Sequence, residues 1–410
     1  MEEDIHLLQK DIELKELDIA ITKAEEILNY EAAHDSELLG ALQIVKDFIK
    51  KKKRICYGGT AMNTLLPPKY KFYNPDFDLP DYDFLTPDTD SDVMELVDAL
   101  KNAGFKNTIS RVGMHEGTKK ILVNYIAVAD LTYASQDVYN VFYKESKCID
   151  GILYTNEHML RMMMYLELSR PRGEVSRWKK VYTRLQILNN YFTFKPCKPR
   201  KQYNIPYALR KELYKFILVR QKTLATLDLE SIYNKSLKEK NIVYNLHNGG
   251  PFVFYSANLK EDAYDLKHLL ILDNFKATYH PAKGSSLAPR VSIYNGSKLL
   301  ALIVEEDACN SYNNIKTAEN RILHISSLQT LITLYYSLYF FTDFASTANV
   351  DILCNIKKCI TTLDKITVSK VSQFPSFPID CSGYQKSYQT LLAEKIQRIK
   401  LEKNKTRKKR

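Results

Sequence analysis

Apolar residues recur at roughly helical spacing from the start of the chain, at Ile5, Leu8, Ile12, Leu14, Leu17, Ile19, Ile21, Ile27 and Leu28, with charges between them. The pattern predicts an amphipathic helix over residues 1–30. Asp35 or Ser36 caps a second predicted helix through Leu38, Leu39, Leu42, Val45 and Phe48. It ends in Lys50-Lys51-Lys52-Lys53-Arg54, which reads either as a solvated helix end suited to the helix dipole or as an RNA contact. Residues 54–57 form a short strand candidate, Gly58-Gly59-Thr60 a turn, and Ala61 to Leu66 a short helix stopped by Pro67-Pro68. Residues 69–80 read as a loop, Asp81 to Thr86 as a strand, Asp92 to Ala103 as a helix, and 119–130 as one strand ending at Asp130. Met159 to Leu168 is apolar and helical in character; Pro171 and Gly173 interrupt it before a helix resumes at SRWKKVYTRLQILNNYF. Lys195 to Lys201 reads as a linker, and Gln329 to Phe344 as an aromatic-rich core helix.

A second pattern lies on top of the first. DVMELVDALKNAGFKNT, from Asp92 to Phe105 and beyond, is echoed by DAYDLKHLLILDNFKAT from Asp262, with Phe275 at the same offset of 170. The offset lays Asp81-Tyr82-Asp83-Phe84 over Pro251-Phe252-Val253-Phe254. Downstream, Gly117-Thr118-Lys119 pairs with Gly296-Ser297-Lys298, which sets Cys309 opposite Asp130 with Asp307 near by. A repeated fold unit whose second copy lost its acidic pair accounts for the echo. The expected boundaries are an N-terminal helix over 1–35, a first domain over 36–200, a second over 201–386 and a basic tail over 387–410.

Composition narrows the class. The 410 residues are 45% apolar and 26% charged, ordinary for a globular protein with room for two or three domains. No apolar run reaches transmembrane length, so no membrane partner is expected. Seven cysteines without a CxxC pair argue against a disulfide framework and a cysteine zinc site, and so for a reducing, cytoplasmic or nuclear compartment. The net charge is +11, of which residues 395–410 carry +8, so the tail is a polybasic arm and any nucleic-acid surface elsewhere is a local patch. The eight histidines show no metal-type spacing.

The chemistry concentrates between Tyr57 and Phe84. Asp81 and Asp83 alternate with bulky apolar residues, and in a strand such i and i+2 side chains share one face. Paired carboxylates there can hold a hard divalent cation. Amides at a Gly-Gly-Thr turn entering a helix can hold the phosphates that the cation neutralises. The same aspartate spacing recurs at Asp76/Asp78, Asp88/Asp90 and Asp90/Asp92, but among loop, cap and turn residues. Two-ion phosphoryl chemistry calls for a third carboxylate, and Asp130, on a strand expected beside the first, supplies it. The reading is nucleotidyl transfer from a nucleoside triphosphate, with Asp81, Asp83 and Asp130 catalytic and holding Mg²⁺ (or Mn²⁺).

A Gly-Gly turn, an alternating Asp-x-Asp strand and a later carboxylate resemble the signature of the polymerase-β-like nucleotidyltransferases, with residues 67–80 as an insertion. More narrowly, YGGTAMN (57–63), PDYDF (80–84) and YLELSRPRGEVSRWKKVYTRL (165–185) are similar to the poly(A) polymerase catalytic subunits of large cytoplasmic DNA viruses. The resemblance implies an α+β fold: a catalytic nucleotidyltransferase domain, a mixed sheet flanked by helices, followed by a degenerate copy. It implies template-independent addition of AMP from ATP to an RNA 3′ end, with Gly58, Gly59 and Thr60 on the triphosphate. Ser176 is a candidate helix cap, and Ser176, Lys179 and Lys180 candidate nucleotide contacts. Arg170, Arg172, Arg177 and Arg184 are candidates for RNA or phosphate. Trp178 either stacks on a base or packs in the core. A homodimer or a viral processivity subunit is a further expected partner, with a location in host cytoplasm or virion. Other nucleotidyltransferase products (oligoadenylate, cyclic dinucleotide, tRNA ends) and a non-catalytic RNA-binding protein on the same scaffold are the alternatives.

Overall fold

The computed structural model describes residues 2–197 and 204–408. They fall into two compact units: the chain up to 134 with 145–155 and the residues from 395, and 135–144 with 156–394. In the first unit the chain makes α1 (Glu2–Ala33), α2 (Ser36–Lys52), β1 (Ile55–Cys56), α3 (Gly58–Leu65), β2 (Asp83–Thr86), α4 (Thr89–Asn102), β3 (Thr108–Val112), β4 (Thr118–Val123) and β5 (Ile126–Tyr133). After α5 (Gln136–Glu145), which counts with the second unit, β6 (Lys147–Ile149) and β7 (Ile152–Tyr154) complete a seven-stranded mixed sheet of order β3-β4-β5-β2-β1-β7-β6.

Local chemistry explains these elements. Asp35 caps α2 by accepting from the Leu38 amide at 2.9 Å, and Asp88 caps α4 by accepting from the Ser91 amide at 3.1 Å. The apolar stripe of α2 is buried at Leu38, Leu42, Val45 and Ile49. Phe48 of α2 lies 6.3 Å from the Phe84 ring of β2. Full burial of side chains such as Phe84, Ile121 and Leu131 contributes about 2 kcal/mol each. Beside them, Asp92 is wholly buried but paired: Arg54 donates to both its oxygens at 2.6 and 2.9 Å, and Thr86 donates at 2.5 Å.

Three sequence expectations shift here. The stretch 119–130 is not one strand but two, because Asn124 and Tyr125 take positive φ (47° and 68°) and turn the chain back. Asp130 therefore sits within β5 rather than at a strand end. The helix predicted over 1–30 forms, but its apolar positions from Leu14 to Leu28 stay exposed. Sulfur pairs join Cys197 to Cys354 and Cys309 to Cys381, each with Cα atoms 5.2 Å apart, against the expectation of no disulfide framework. Partners 157 and 72 residues apart in sequence leave no spacing motif to read.

In the second unit α6 (Glu157–Leu168), α7 (Trp178–Tyr191), α8 (Tyr207–Val219), β8 (Thr223–Leu224), α9 (Leu229–Lys235), β9 (Val243–Tyr244) and β10 (Phe252–Ser256) come first. They are followed by α10 (Leu259–Leu270), β11 (Phe275–His280), β12 (Arg290–Asn295), β13 (Lys298–Glu305), β14 (Asn310–Thr317) and β15 (Ile322–Ser326). Then come α11 (Leu328–Phe341), α12 (Phe344–Thr347), α13 (Ile352–Val368) and β16 (Cys381–Ser382). Its sheet runs β11-β12-β13-β10-β8-β15-β14-β16, with β9 beside β14. The first seven strands of that order repeat the first unit's order and polarity, parallel pairs included. Asp262 repeats Asp92, with Lys222 at 2.6 Å and the Ser256 hydroxyl bonded to it; Asn258 repeats the Asp88 cap. The offset of 170 is thus a shared scaffold.

Beyond the helix the register differs from the sequence reading. Gly296-Ser297 is the β12–β13 turn, the counterpart of Asn124-Tyr125 rather than of Gly117-Thr118. Val253 pairs with Leu302 as Asp83 pairs with Asp130, so Leu302, not Cys309, stands in the place of Asp130.

The compact division falls after Thr155, earlier than the expected 200, because α6 packs against α11, whose residues 328–338 are all buried. The linker expected at 195–201 lies partly outside the described residues. The tail is a helix, α14 (Tyr388–Lys408). Its Arg398 donates to the Met114 carbonyl at 2.9 Å and to that of Gly113 at 3.5 Å.

Candidate active site

The face of the first sheet turned away from α2 and α4 carries the polar side chains. Asp83 on β2 and Asp130 on β5 are direct partners in a parallel register, followed by Leu85 and Thr132. On β4, Lys120 stands opposite Asp130 and Thr118 opposite Thr132. The Tyr57 hydroxyl bonds Thr132 Oγ1 at 2.9 Å, and Thr132 Oγ1 lies 3.1 Å from Thr118 Oγ1. Carboxylates, hydroxyls and one ammonium thus form a strip three strands wide beside the N-terminus of α3.

Asp81 reaches this strip differently from the sequence argument. It precedes β2 and is exposed. Its carbonyl accepts from the Asp83 amide at 3.1 Å and from the Thr60 hydroxyl at 2.7 Å. A turn rather than strand alternation therefore sets its place. Burial, then the charge of Asp83, and more weakly Asp130 and Asp81, push the Tyr57 phenol up, so all three carboxylates bear on one ring. Burial and Asp83 likewise push up the Cys56 thiol.

Gly58 opens α3 at φ +72°, and a Cβ there would lie 2.7 Å from Asp83 Oδ2. Only glycine accepts that backbone and that approach together. The first turn of α3 has amides without intrahelical acceptors, with positive potential beside Asp83. Asn63, later in the same motif, accepts from the Phe72 and Tyr73 amides at 2.9 and 3.1 Å, and so pins the 69–80 loop.

The residues present suit a hard divalent ion. Asp130 Oδ1 is buried without a hydrogen-bond partner, Asp83 is in register with it, and the donors are all carboxylate oxygen. Among the described residues no three His, Cys, Asp or Glu side chains are closed up as a ready-made ion cage. Instead the Lys120 ammonium sits on Asp130 Oδ2.

The cationic candidates from Arg170 to Arg184 all belong to the second unit. Arg172, Ser176, Lys179 and Lys180 are exposed. Arg177 is held by Glu167 at 3.2 Å and Glu174 at 3.4 Å. Arg170 lies near Asp307 in a small cavity, where burial, eased by the charges of Asp307 and Tyr255, lowers its pKa. Arg184 is half-buried on α7. Ser176 is not a helix cap: it lies in a tight turn, and α7 starts from Arg177 with no side-chain cap bond. Trp178 is half-buried; it packs against protein, donating to the Glu167 carbonyl at 3.1 Å with its ring 6.0 Å from Phe377. Lys120, Tyr57 and Asn63 were not singled out from sequence. Only the unseen hairpin at Asn124-Tyr125 brings Lys120 opposite Asp130.

Residues 43–174 match the family model described as poly(A) polymerase catalytic subunit. The chain is 29% identical over 204 residues to a protein of African swine fever virus named as a poly(A) polymerase catalytic subunit, covering 47% of this chain and 43% of that one. It is 26% identical over 275 residues to an Acanthamoeba polyphaga mimivirus protein of the same name, covering 65% and 44%. The chain thus spans less than half the length of these relatives. The crystal structure of the Megavirus polyadenylate synthase shares its fold, with a TM-score of 0.76 and 22% identity over 97% of this chain and 84% of that one. The similarity to viral poly(A) polymerase catalytic subunits expected from the motifs is found, and the expected mixed sheets flanked by helices are shared with the Megavirus structure.

Proposed function

We propose that this chain is a template-independent polynucleotide adenylyltransferase that adds AMP from ATP to RNA 3′ ends. The observation that carries the reading is the pairing of Asp83 with Asp130 beside a glycine-initiated helix, inside the stretch matched by the family model. Asp81, Asp83 and Asp130 would hold Mg²⁺ or Mn²⁺, which when bound offsets the charge of the transferring phosphoryl group and activates the attacking hydroxyl. The amides of Gly58, Gly59 and Thr60 receive the triphosphate at the start of α3. The Thr60 hydroxyl orients Asp81 through its carbonyl. The RNA 3′ oxygen attacks the α-phosphorus, the bond to the β-phosphate oxygen breaks, and pyrophosphate leaves.

RNA would be gripped by cations, with the exposed Arg172, Lys179 and Lys180 and the basic helix α14 as the candidates. The choice of ATP rests on the named relatives alone. No described helix is long and apolar enough to cross a membrane; a cytoplasmic or virion location belongs to the same proposal.

The test is extension of a labelled RNA primer with each nucleoside triphosphate separately, comparing wild type with an Asp81→Ala/Asp83→Ala variant. ATP-dependent lengthening that vanishes in a folded variant supports the reading. Equal lengthening by the variant sinks it.

A further inference from the structure

Lys120 and Asp130 are cross-strand partners, the ammonium rests on Asp130 Oδ2, and Asp130 Oδ1 is buried without a partner. The second unit contains the control. In the same register of β12 and β13, Ser292 stands opposite Leu302. Where the carboxylate is missing the lysine is missing too, although the sheet is built the same way. The ammonium therefore answers to the carboxylate and not to a demand of the scaffold.

We propose that Lys120 is a positioning residue, a built-in cation that holds Asp130 in place and that a divalent ion must displace from Oδ2. The inference rests on the reading of Asp130 as a metal ligand. The chemistry favours displacement. Lysine is a point charge on a flexible four-carbon stem, and the Lys120 side chain is 44% exposed, so the ammonium can leave towards water. The pair is open on the lysine side only, with Asp130 15% exposed, and solvent at the ammonium weakens it. Lys120 would thus tune the affinity for the ion rather than forbid it. Without an ion it compensates a carboxylate that would otherwise face Asp83 across β2 and β5.

The experiment measures Mn²⁺ affinity by electron paramagnetic resonance on the full chain without nucleotide, for wild type, Lys120→Met, Lys120→Arg and Asp130→Asn. Lys120→Met is expected to bind Mn²⁺ about fivefold more tightly, Lys120→Arg to stay close to wild type, and Asp130→Asn to bind much more weakly. Unchanged or weaker binding by Lys120→Met, with Asp130→Asn still impaired, overturns the role of Lys120 and leaves the metal-ligand reading standing. Wild-type affinity in Asp130→Asn overturns that reading, and the lysine role with it. Circular dichroism checks the fold; should Lys120→Met not fold, Lys120→Gln removes the charge with a polar side chain and is read by the same criteria.

Discussion

Asp83 faces Asp130 across the parallel pair β2–β5, and Val253 faces Leu302 in the same register of β10–β13. One sheet position thus carries two acids in the first unit and two apolar side chains in the second. The chemical step should depend on the acids of the first unit. Asp83→Asn and Asp130→Asn are each expected to lower adenylate incorporation at least about 100-fold, with circular dichroism unchanged. Val253→Ala should reduce stability and leave the per-molecule rate of folded protein alone, as a primer-extension assay normalised to folded fraction would show.

Gly58 is constrained twice, by its φ of +72° and by Asp83 Oδ2 at 2.7 Å from the position of a Cβ. Gly58→Ala should cost about 1–3 kcal/mol in chemical denaturation and move Asp83 off its register. Incorporation should fall by more than the lost folded fraction explains. Gly104, also at positive φ but with open space around its missing Cβ, is the comparison: Gly104→Ala should destabilise without a separate loss of rate.

The Arg54–Asp92 pair lies in the core, with the side chains 14% and 1% exposed. Arg54→Met strands a buried carboxylate and should destabilise by about 3–5 kcal/mol in urea titration. An Arg54→Met/Asp92→Leu double variant, which also frees Thr86, should recover part of that loss.

His247 and Asp228 lie 2.9 Å apart in the second unit. The Asp228 hydrogen bond, against partial burial, raises the His247 pKa above 6.5. Burial pushes Asp228 up, but the His247 bond, then Thr226 and the Arg210 charge, outweigh it and bring it below 3.8. A raised histidine stabilises fully below its unfolded pKa and loses this as pH rises through the folded value. A lowered aspartate stabilises above its unfolded pKa and loses this as pH falls through the folded value. The pair is therefore worth most between pH 3.8 and 6.5. Thermal melts of His247→Ala should show the largest deficit near about pH 5 and a smaller one near about pH 9, where the neutral imidazole still donates to Asp228.

Removing 395–410 should weaken RNA binding and flatten its dependence on salt, because nine Lys and Arg leave with the segment. It also removes Arg398 from the Gly113 and Met114 carbonyls, so the melt should fall slightly. Arg398→Ala alone should reproduce the thermal effect with little of the change in salt slope.

The sequence made some of this plain and hid the rest for physical reasons. Asp83 was readable because its neighbours Tyr82 and Phe84 are core residues, buried as the alternation requires. The echo at 170 was readable because cap, helix and buried aspartate recur together at 88, 92, 258 and 262. The hairpin after Val123 was not, since Asn-Tyr carries no glycine to announce two positive φ angles. Missing it shifted the second half of the repeat by several residues and concealed Lys120. The place of Asp81 depends on a turn bond and on Thr60, neither of which spacing reveals.

Two units on one scaffold, one without its acids, give the chain an internal reference for separating architecture from chemistry. The Arg54–Asp92–Thr86 cluster persists as Lys222–Asp262–Ser256, so natural variants at those positions should register first in protein yield. Variants at 83, 120 and 130 have no counterpart to preserve in the other unit and should register first in tail length. A survey of natural variants sorted by that rule would distinguish folding defects from defects of the site before any protein is purified.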